Sequence, residues 1–194
     1  MEKNHSNTEP LSDEALAVLI QQGQTDYFGT LIERYEGKLL RYGTKFLSDR
    51  NDIEDLVHDA FLNAYKNMRV FDPDLRFSPW MYRIAHNTFV NALRSAGKLP
   101  LFSIDLDTFV APIGAESAEN REDQQLIHEA ITKGLQALKP KYREVLILHY
   151  FEEMPYKEIA DVLHIPIGTV SVRILRAKKA LREVLDPATL PGIL

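Results

Sequence analysis

The sequence predicts an all-α protein: two helical domains joined by a flexible linker, the second domain carrying a helix-turn-helix. Three observations lead there. Apolar residues recur at three- and four-residue steps through two long blocks, which is the helical period. Between the blocks, residues 98–122 lose that period and collect acids and prolines. No run of strand period has useful length, and no repeat or low-complexity tract is present.

The elements follow in order. Met1 to Pro10 reads as a polar tail. Ser12-Asp13-Glu14 supplies an N-cap and first-turn acids for a short helix that runs to about Gln22, where Gly23 stops it. This tail and short helix make up segment 1–23. The first domain, 24–97, opens with Thr25 capping a helix through Phe28, Leu31, Ile32, Tyr35, Leu39, Leu40 and Phe46. Asn51 or Asp52 caps the next, with a stripe of Ile53, Leu56, Val57, Ala60, Phe61, Ala64 and Met68. Asp72-Pro73 breaks the pattern, and Ser78-Pro79 restarts it as an N-cap followed by proline at the first helical position. That helix is expected to reach Arg94 to Gly97.

After the acidic linker, 98–122, a second domain spans 123–185. Leu126, Ile127, Ala130, Ile131, Leu135 and Leu138 mark its first helix, and Pro140 opens another. Pro155 opens a short third helix, and the turn His164-Ile165-Pro166 leads into a long last one ending near Leu185. The tail, 186–194, carries Pro187, Pro191 and Gly192 and is expected to fray.

Composition narrows the function. The 194 residues, 45% hydrophobic and 26% charged, suffice for buried cores. There is no cysteine, which excludes disulfides, cysteine zinc sites and thiol nucleophiles. Met1 to Ser12 lacks the apolar stretch of a signal peptide, and no apolar run is long enough to span a bilayer. The expectation is a cytoplasmic protein with no membrane insertion. A net charge of −5 argues against coating nucleic acid by bulk charge. Any DNA contact must be local or assisted by a partner.

One local contact stands out. Residues 155–170 have the form of a helix-turn-helix: Ala160 is small where two helices cross, and Ile159, Leu163, Ile165 and Val170 share a core. His164 occupies a turn position where glycine is common, so the turn is either looser or holds a left-handed histidine. From Gly168 to Arg182 there is no acid, while Arg173, Arg176, Lys178, Lys179 and Arg182 are basic. Such a helix suits a major groove, with Thr169, Ser171 and Arg173 near its start in reach of bases or phosphates. The bland reading is a solvated basic helix; the turn pattern in front favours DNA.

The helix from Ser78 carries a second constellation. Trp80, Arg83, Asn87, Asn91 and Arg94 fall on one stripe, preceded by a loop holding Phe71 and Phe77. Rings that stack, an amide that reads base edges and arginines that hold phosphates suit single-stranded DNA. Taken singly, Trp80 reads as core, and Phe71 and Phe77 as pins for the loop; only the set points to a melted strand. On the preceding helix, Asp52, Asp55, Asp59 and Leu62 lie opposite the apolar stripe, an acidic face that suits a basic partner helix.

Two separated blocks resemble one family. Residues 52–61 and 77–87 look like regions 2.2 to 2.4 of a bacterial sigma factor, and residues 156–160 with 165–170 look like region 4.2. The linker leaves no room for a region 3, as in the extracytoplasmic-function (ECF) group of the sigma-70 family. The resemblance implies a non-enzymatic role without cofactor or metal, since the polymerase supplies the chemistry. It implies that Asp52, Asp55, Asp59 and Leu62 bind the beta-prime clamp helices of core RNA polymerase, with the beta flap as a further contact. Phe71, Phe77, Trp80, Arg83, Asn87, Asn91 and Arg94 would recognise and melt the −10 element. Thr169, Ser171, Val172, Arg173, Arg176 and Lys179 would read the −35 element of promoter DNA. An anti-sigma factor is a further implied partner. His58 stands where glutamine is frequent, and Ser171-Val172 replace a frequent basic-polar pair.

Three other readings meet the same residues. A stand-alone helix-turn-helix regulator leaves the Trp80 stripe and the acidic face without a role. A metal-dependent hydrolase lacks any dense ligand pattern among the six histidines. An adaptor would bind a regulator without promoter-dependent transcription.

Overall fold

The computed structural model describes residues 11–47, 49–95, 130–131, 133–135 and 137–185. The expected linker, both tails and most of the helix expected after residue 123 lie outside these. Among the described residues every regular element is helical. Besides helical positions at 130–131, 133–135 and 137, the described residues form α1 (Asp13–Gln21), α2 (Tyr27–Gly43), α3 (Arg50–Asn67), α4 (Phe77–Ser95), α5 (Pro140–Leu146), α6 (Tyr156–Leu163) and α7 (Ile167–Val184). A 3-10 turn (Met68–Val70) follows α3, and a π turn (Ile147–Phe151) follows α5.

Helix starts obey local chemistry with some differences from the sequence expectation. The Ser12 side chain caps α1 by accepting from Ala15 N–H at 3.2 Å. Gly23 adopts a positive φ of 96°, which suits its role as the stop after α1. Asp49, not Asn51 or Asp52, caps α3: its carboxylate accepts from the N–H groups of Asn51 and Asp52. The helix therefore starts two to three residues earlier than expected, less than one turn. The fourth helix begins at Phe77 rather than after Ser78, because Glu14 of α1 reaches across and accepts from Phe77 N–H at 2.9 Å. A tertiary partner replaces the local cap there.

The first body packs α1 through α4 around one core. Leu16 and Ile20 of α1, Leu31, Tyr35 and Leu39 of α2, Ile53, Val57 and Phe61 of α3, and Met81, Phe89 and Leu93 of α4 are buried. Asp13 ties α1 to α2 through the Arg34 guanidinium and the Tyr35 hydroxyl. The Gln21 amide donates to the carbonyls of Met68 and Phe71 at 2.9 and 2.7 Å, so α1 also holds the segment that follows α3. The short first helix is thus packed into the four-helix body.

The second body is built on α5, α6 and α7. Pro140 sits in the first turn of α5, where its missing N–H costs nothing. α6 ends on His164 in the left-handed conformation, φ 53° and ψ 50°. The Ile165 N–H closes the turn on the Ala160 carbonyl at 3.1 Å. This is the left-handed alternative posed by the sequence, and it delivers Ile167 directly into α7. Val162 of α6 and Val170, Ile174, Ala177 and Leu181 of α7 form the shared core.

Two outcomes follow. His164 is exposed, so its side chain adds little, while a left-handed L-residue costs about 1–2 kcal/mol. His164→Gly is expected to stabilise the chain by roughly 0.5–1 kcal/mol in denaturant titration, and His164→Val to destabilise it. Burial holds the His86 imidazole down to about 4, and Nδ1 pairs with the Tyr42 hydroxyl at 2.9 Å. An unfolded histidine takes up its proton near 6.5, so stability falls as pH drops from 6.5 towards 4, by at most roughly 3 kcal/mol from this group. Glu144, pushed up to about 7 by burial, has the opposite slope between 4.5 and 7. His86→Gln should therefore lower the acid sensitivity of the melting temperature relative to the parent chain.

Candidate nucleic-acid interface

α7 owes its orientation to its apolar side. With Val170, Ile174, Ala177 and Leu181 facing inward, the same helix presents Ser171, Val172, Arg176 and Lys179 to solvent. Thr169 and Arg173 sit half-buried at the edge between the two sides. Arg173 faces Glu144 of α5, which it helps hold in the charged form against the effect of burial. Arg176, further along the helix, is exposed.

Two residues join this surface that sequence spacing did not single out. Lys141 and Tyr142, in the first turn of α5, line one groove of about 430 Å³ with Gly168, Thr169, Val172, Arg173 and Arg176. The Lys141 ammonium lies 5.3 Å from the Tyr142 ring centroid. Two lysines flanking Pro140 were the available signal, but nothing local brings Lys141 beside a helix start 27 positions later.

On α4, Asn87, Asn91 and Arg94 are exposed, and Trp80 and Arg83 are half-buried. Asn87 and Asn91 line a groove of about 410 Å³ between α3 and α4, with Asp59 and Asn63 on its other wall. The loop aromatics behave differently from one another. Phe71 and Phe77 are buried, at 3% and 1% exposure, and their rings pack edge to face at 5.4 Å. Each also touches Trp80, at 5.0 and 5.4 Å between centroids. Phe77 extends the cluster to Tyr35 of α2. Phe71 in the loop and Phe77 at the start of α4 bury more area by turning inward over the apolar core. Of the three, Trp80 alone keeps accessible surface, and it rests on the other two.

α3 carries the third set. Asp52, Asp55, Asp59 and Leu62 are all exposed along one side, and Leu62 is 43% accessible. Beside them runs a groove of about 650 Å³ between α2 and α3, floored by Phe28, Ile32, Val57 and Phe61 and edged by Glu36, Glu54 and Arg50. On that edge the Arg50 guanidinium pairs with Glu54 at 2.8 Å. Among the described residues no cluster of histidines and acids has the geometry of a metal site. No helix there is long and apolar enough to cross a membrane.

The two bodies touch. α6 packs along α4, the Arg76 guanidinium pairs with Glu158 at 2.8 Å, and the Tyr82 hydroxyl donates to Glu152. The Lys45 ammonium lies 5.3 Å from the Phe151 ring centroid.

Comparison with known proteins agrees with both bodies. Residues 31–99 match the family described as Sigma-70 region 2, and residues 128–181 match Sigma-70, region 4. The ECF RNA polymerase sigma-E factor of Haemophilus influenzae is 30% identical over 186 residues, covering 92% of this chain and 98% of that one. The ECF RNA polymerase sigma factor SigW of Bacillus subtilis is 31% identical over 175 residues, covering 86% and 92%. The RNA polymerase sigma-H factor of Pseudomonas aeruginosa is 32% identical over 182 residues, covering 90% and 94%. Among solved structures, CnrH in complex with the cytosolic domain of CnrY superposes with a TM-score of 0.65 at 26% identity, over 89% of this chain and 96% of that one. With its region 2 and region 4 segments in this order and these relatives matched over nearly their whole length, the chain belongs to the sigma-70 family of RNA polymerase sigma factors, in the ECF group.

Proposed function

We propose that this ECF sigma factor divides its work among three surfaces. The acidic side of α3, Asp52, Asp55, Asp59 and Leu62, docks on the clamp helices of core RNA polymerase, and the second body on the beta flap. The α4 stripe of Trp80, Arg83, Asn87, Asn91 and Arg94 takes the −10 strand as it melts, with Phe71 and Phe77 supporting Trp80 from beneath. The start of α7, from Thr169 to Lys179, enters the major groove of the −35 element. Lys141 and Tyr142 add a second wall that suits the phosphates beside it. The polymerase performs the chemistry, and the work takes place in the cytoplasm. An anti-sigma partner is part of this reading, supported by the similar CnrH having been solved in complex with the cytosolic domain of CnrY.

The observation that carries the proposal is one of charge and exposure. A chain of net charge −5 turns a helix that bears no acid from Gly168 to Arg182 and carries arginines outward behind a tight left-handed turn, and exposes a row of acids on a different body. Phosphate attraction is confined to the first surface, so affinity for free duplex should be modest and salt-dependent. A stand-alone regulator would need no acidic row.

The proposal is tested by transcription from a genomic promoter pool with purified core polymerase. Arg176→Ala should reduce initiation at −35-dependent promoters about tenfold, in line with roughly 1–3 kcal/mol for a bidentate arginine–guanine pair. Asp55→Arg should weaken core binding in a pull-down while leaving the melting temperature unchanged. Wild-type initiation by both variants would exclude these roles.

A further inference from the structure

We propose that Glu14 and Gln21 of α1 are positioning residues for the −10 strand: they hold both ends of the loop ahead of Trp80, and so set how sharply the chain selects the bases of that strand. The inference rests on the −10 role given above to the α4 stripe. It gives a task to a helix that touches neither DNA nor polymerase in that reading.

The loop between the 3-10 turn and α4 is gripped twice from one helix. At its entrance the Gln21 amide nitrogen donates to the carbonyls of Met68 and Phe71, one for each of its two hydrogens. At its exit Glu14 Oε1 accepts from the Phe77 N–H, a donor that the first turn of α4 leaves without a helical partner. Glu14 and Gln21 stand almost two full turns apart on the same side of α1. Beside Glu14, Asp13 accepts from the Tyr35 hydroxyl at 2.6 Å, and the Tyr35 ring packs edge-on against Phe77. The span between the clamps closes on itself. Asp72 accepts from the Asp74 N–H through its carboxylate and from the Leu75 N–H through its carbonyl, each at 3.0 Å.

Stability alone does not account for where the clamps fall. Gln21 grips the backbone of Phe71 and Glu14 that of Phe77, and these are the two rings on which Trp80 rests. Between them the loop keeps Leu75 62% exposed, and Val70 just before it is 77% exposed. Apolar burial therefore does not hold this stretch in place. Polar side chains from α1 hold it by the main chain instead, which fixes its shape and leaves its side chains free.

Clamping moves the cost of ordering the loop from binding to folding. It also sharpens choice. A wrong base is rejected when the ring and the groups beside it cannot shift to receive it, and a loop released at one end can shift. Phosphate contacts carry no sequence information, and those of Arg83 and Arg94 belong to α4 itself. Loss of a clamp therefore lowers discrimination between bases more than it lowers overall affinity. The −35 surface lies on the second body and the acidic row on α3, so both serve as references that the clamps do not touch.

Trp80 is the only tryptophan, so its fluorescence reports on this stack alone. Gln21→Met and Glu14→Met keep side-chain length and helix propensity but remove the hydrogen bonds. Glu14→Gln keeps an acceptor for the Phe77 N–H. In the full-length chain both methionine variants should red-shift Trp80 emission and strengthen its quenching by acrylamide, and Glu14→Gln should not. The second measurement uses holoenzyme assembled with core polymerase. Labelled single-stranded −10 oligonucleotides, of parent sequence and with single bases replaced, are titrated by anisotropy. Discrimination between them should fall about threefold in each methionine variant, in line with the loss of one or two hydrogen bonds, and be retained by Glu14→Gln. Core binding and discrimination among −35 sequences in transcription should stay as in the parent. Undiminished −10 discrimination in the methionine variants overturns the proposal. An equal fall at −10 and −35 also overturns it, since that marks a general loss of structure. If one methionine variant fails to fold, the other decides; if both fail, the ties are plain stability elements and the proposal is overturned. If the parent holoenzyme shows no base preference on these oligonucleotides, the −10 role itself is overturned, and the positioning role with it.

Discussion

The roll of α7 about its own axis is the constraint on which the other features depend. Val170, Ile174, Ala177 and Leu181 bury along one side and leave no freedom in where the remaining residues point. Rotating the helix by a single residue, about 100°, would drive Ser171 and Leu175 inward and expose Val170 and Ile174. The basic side chains face outward because the apolar stripe is fixed behind them. The left-handed His164 turn serves the same end, since it sets where that helix starts relative to α6.

A similar division of labour governs the first body. Trp80 is the half-exposed ring of an aromatic stack whose lower members, Phe71, Phe77 and Tyr35, belong to the core. Gln21 and Glu14, both from α1, hold the segment around that stack by its backbone. A helix that contributes nothing to the proposed contacts thereby positions a residue that does. Second-layer support of this kind is what keeps a recognition surface shaped before its ligand arrives.

Periodicity made much of this legible from sequence. The stripes of α2, α3 and α4, the proline at the start of α5 and the extent of α7 follow from the 3.6-residue repeat and from capping chemistry. Local rules failed where a distant partner intervened. Glu14 moved the start of α4, and no window around Ser78 contains Glu14. Phe71 and Phe77 looked available because loop aromatics carry no period, and their burial depends on three other helices. Lys141 and Tyr142 gained a role only by standing next to Gly168 in space. The contact between the bodies left no trace in sequence, because an arginine, a tyrosine and two glutamates spread over 83 positions spell nothing when read in order.

The π turn between α5 and α6 has a consequence for how such a protein tolerates change. At Ile147 the backbone bond steps to the fifth residue, with Glu152 N–H meeting the Ile147 carbonyl at 3.1 Å. A π turn holds one more residue than the α turn it replaces. Removing one residue there would restore regular winding and swing everything downstream by about a quarter of a circle. α7 would keep its sequence, its charge and its fold, yet turn its exposed basic side in a different direction. Length in this short stretch is therefore under tighter constraint than side-chain identity.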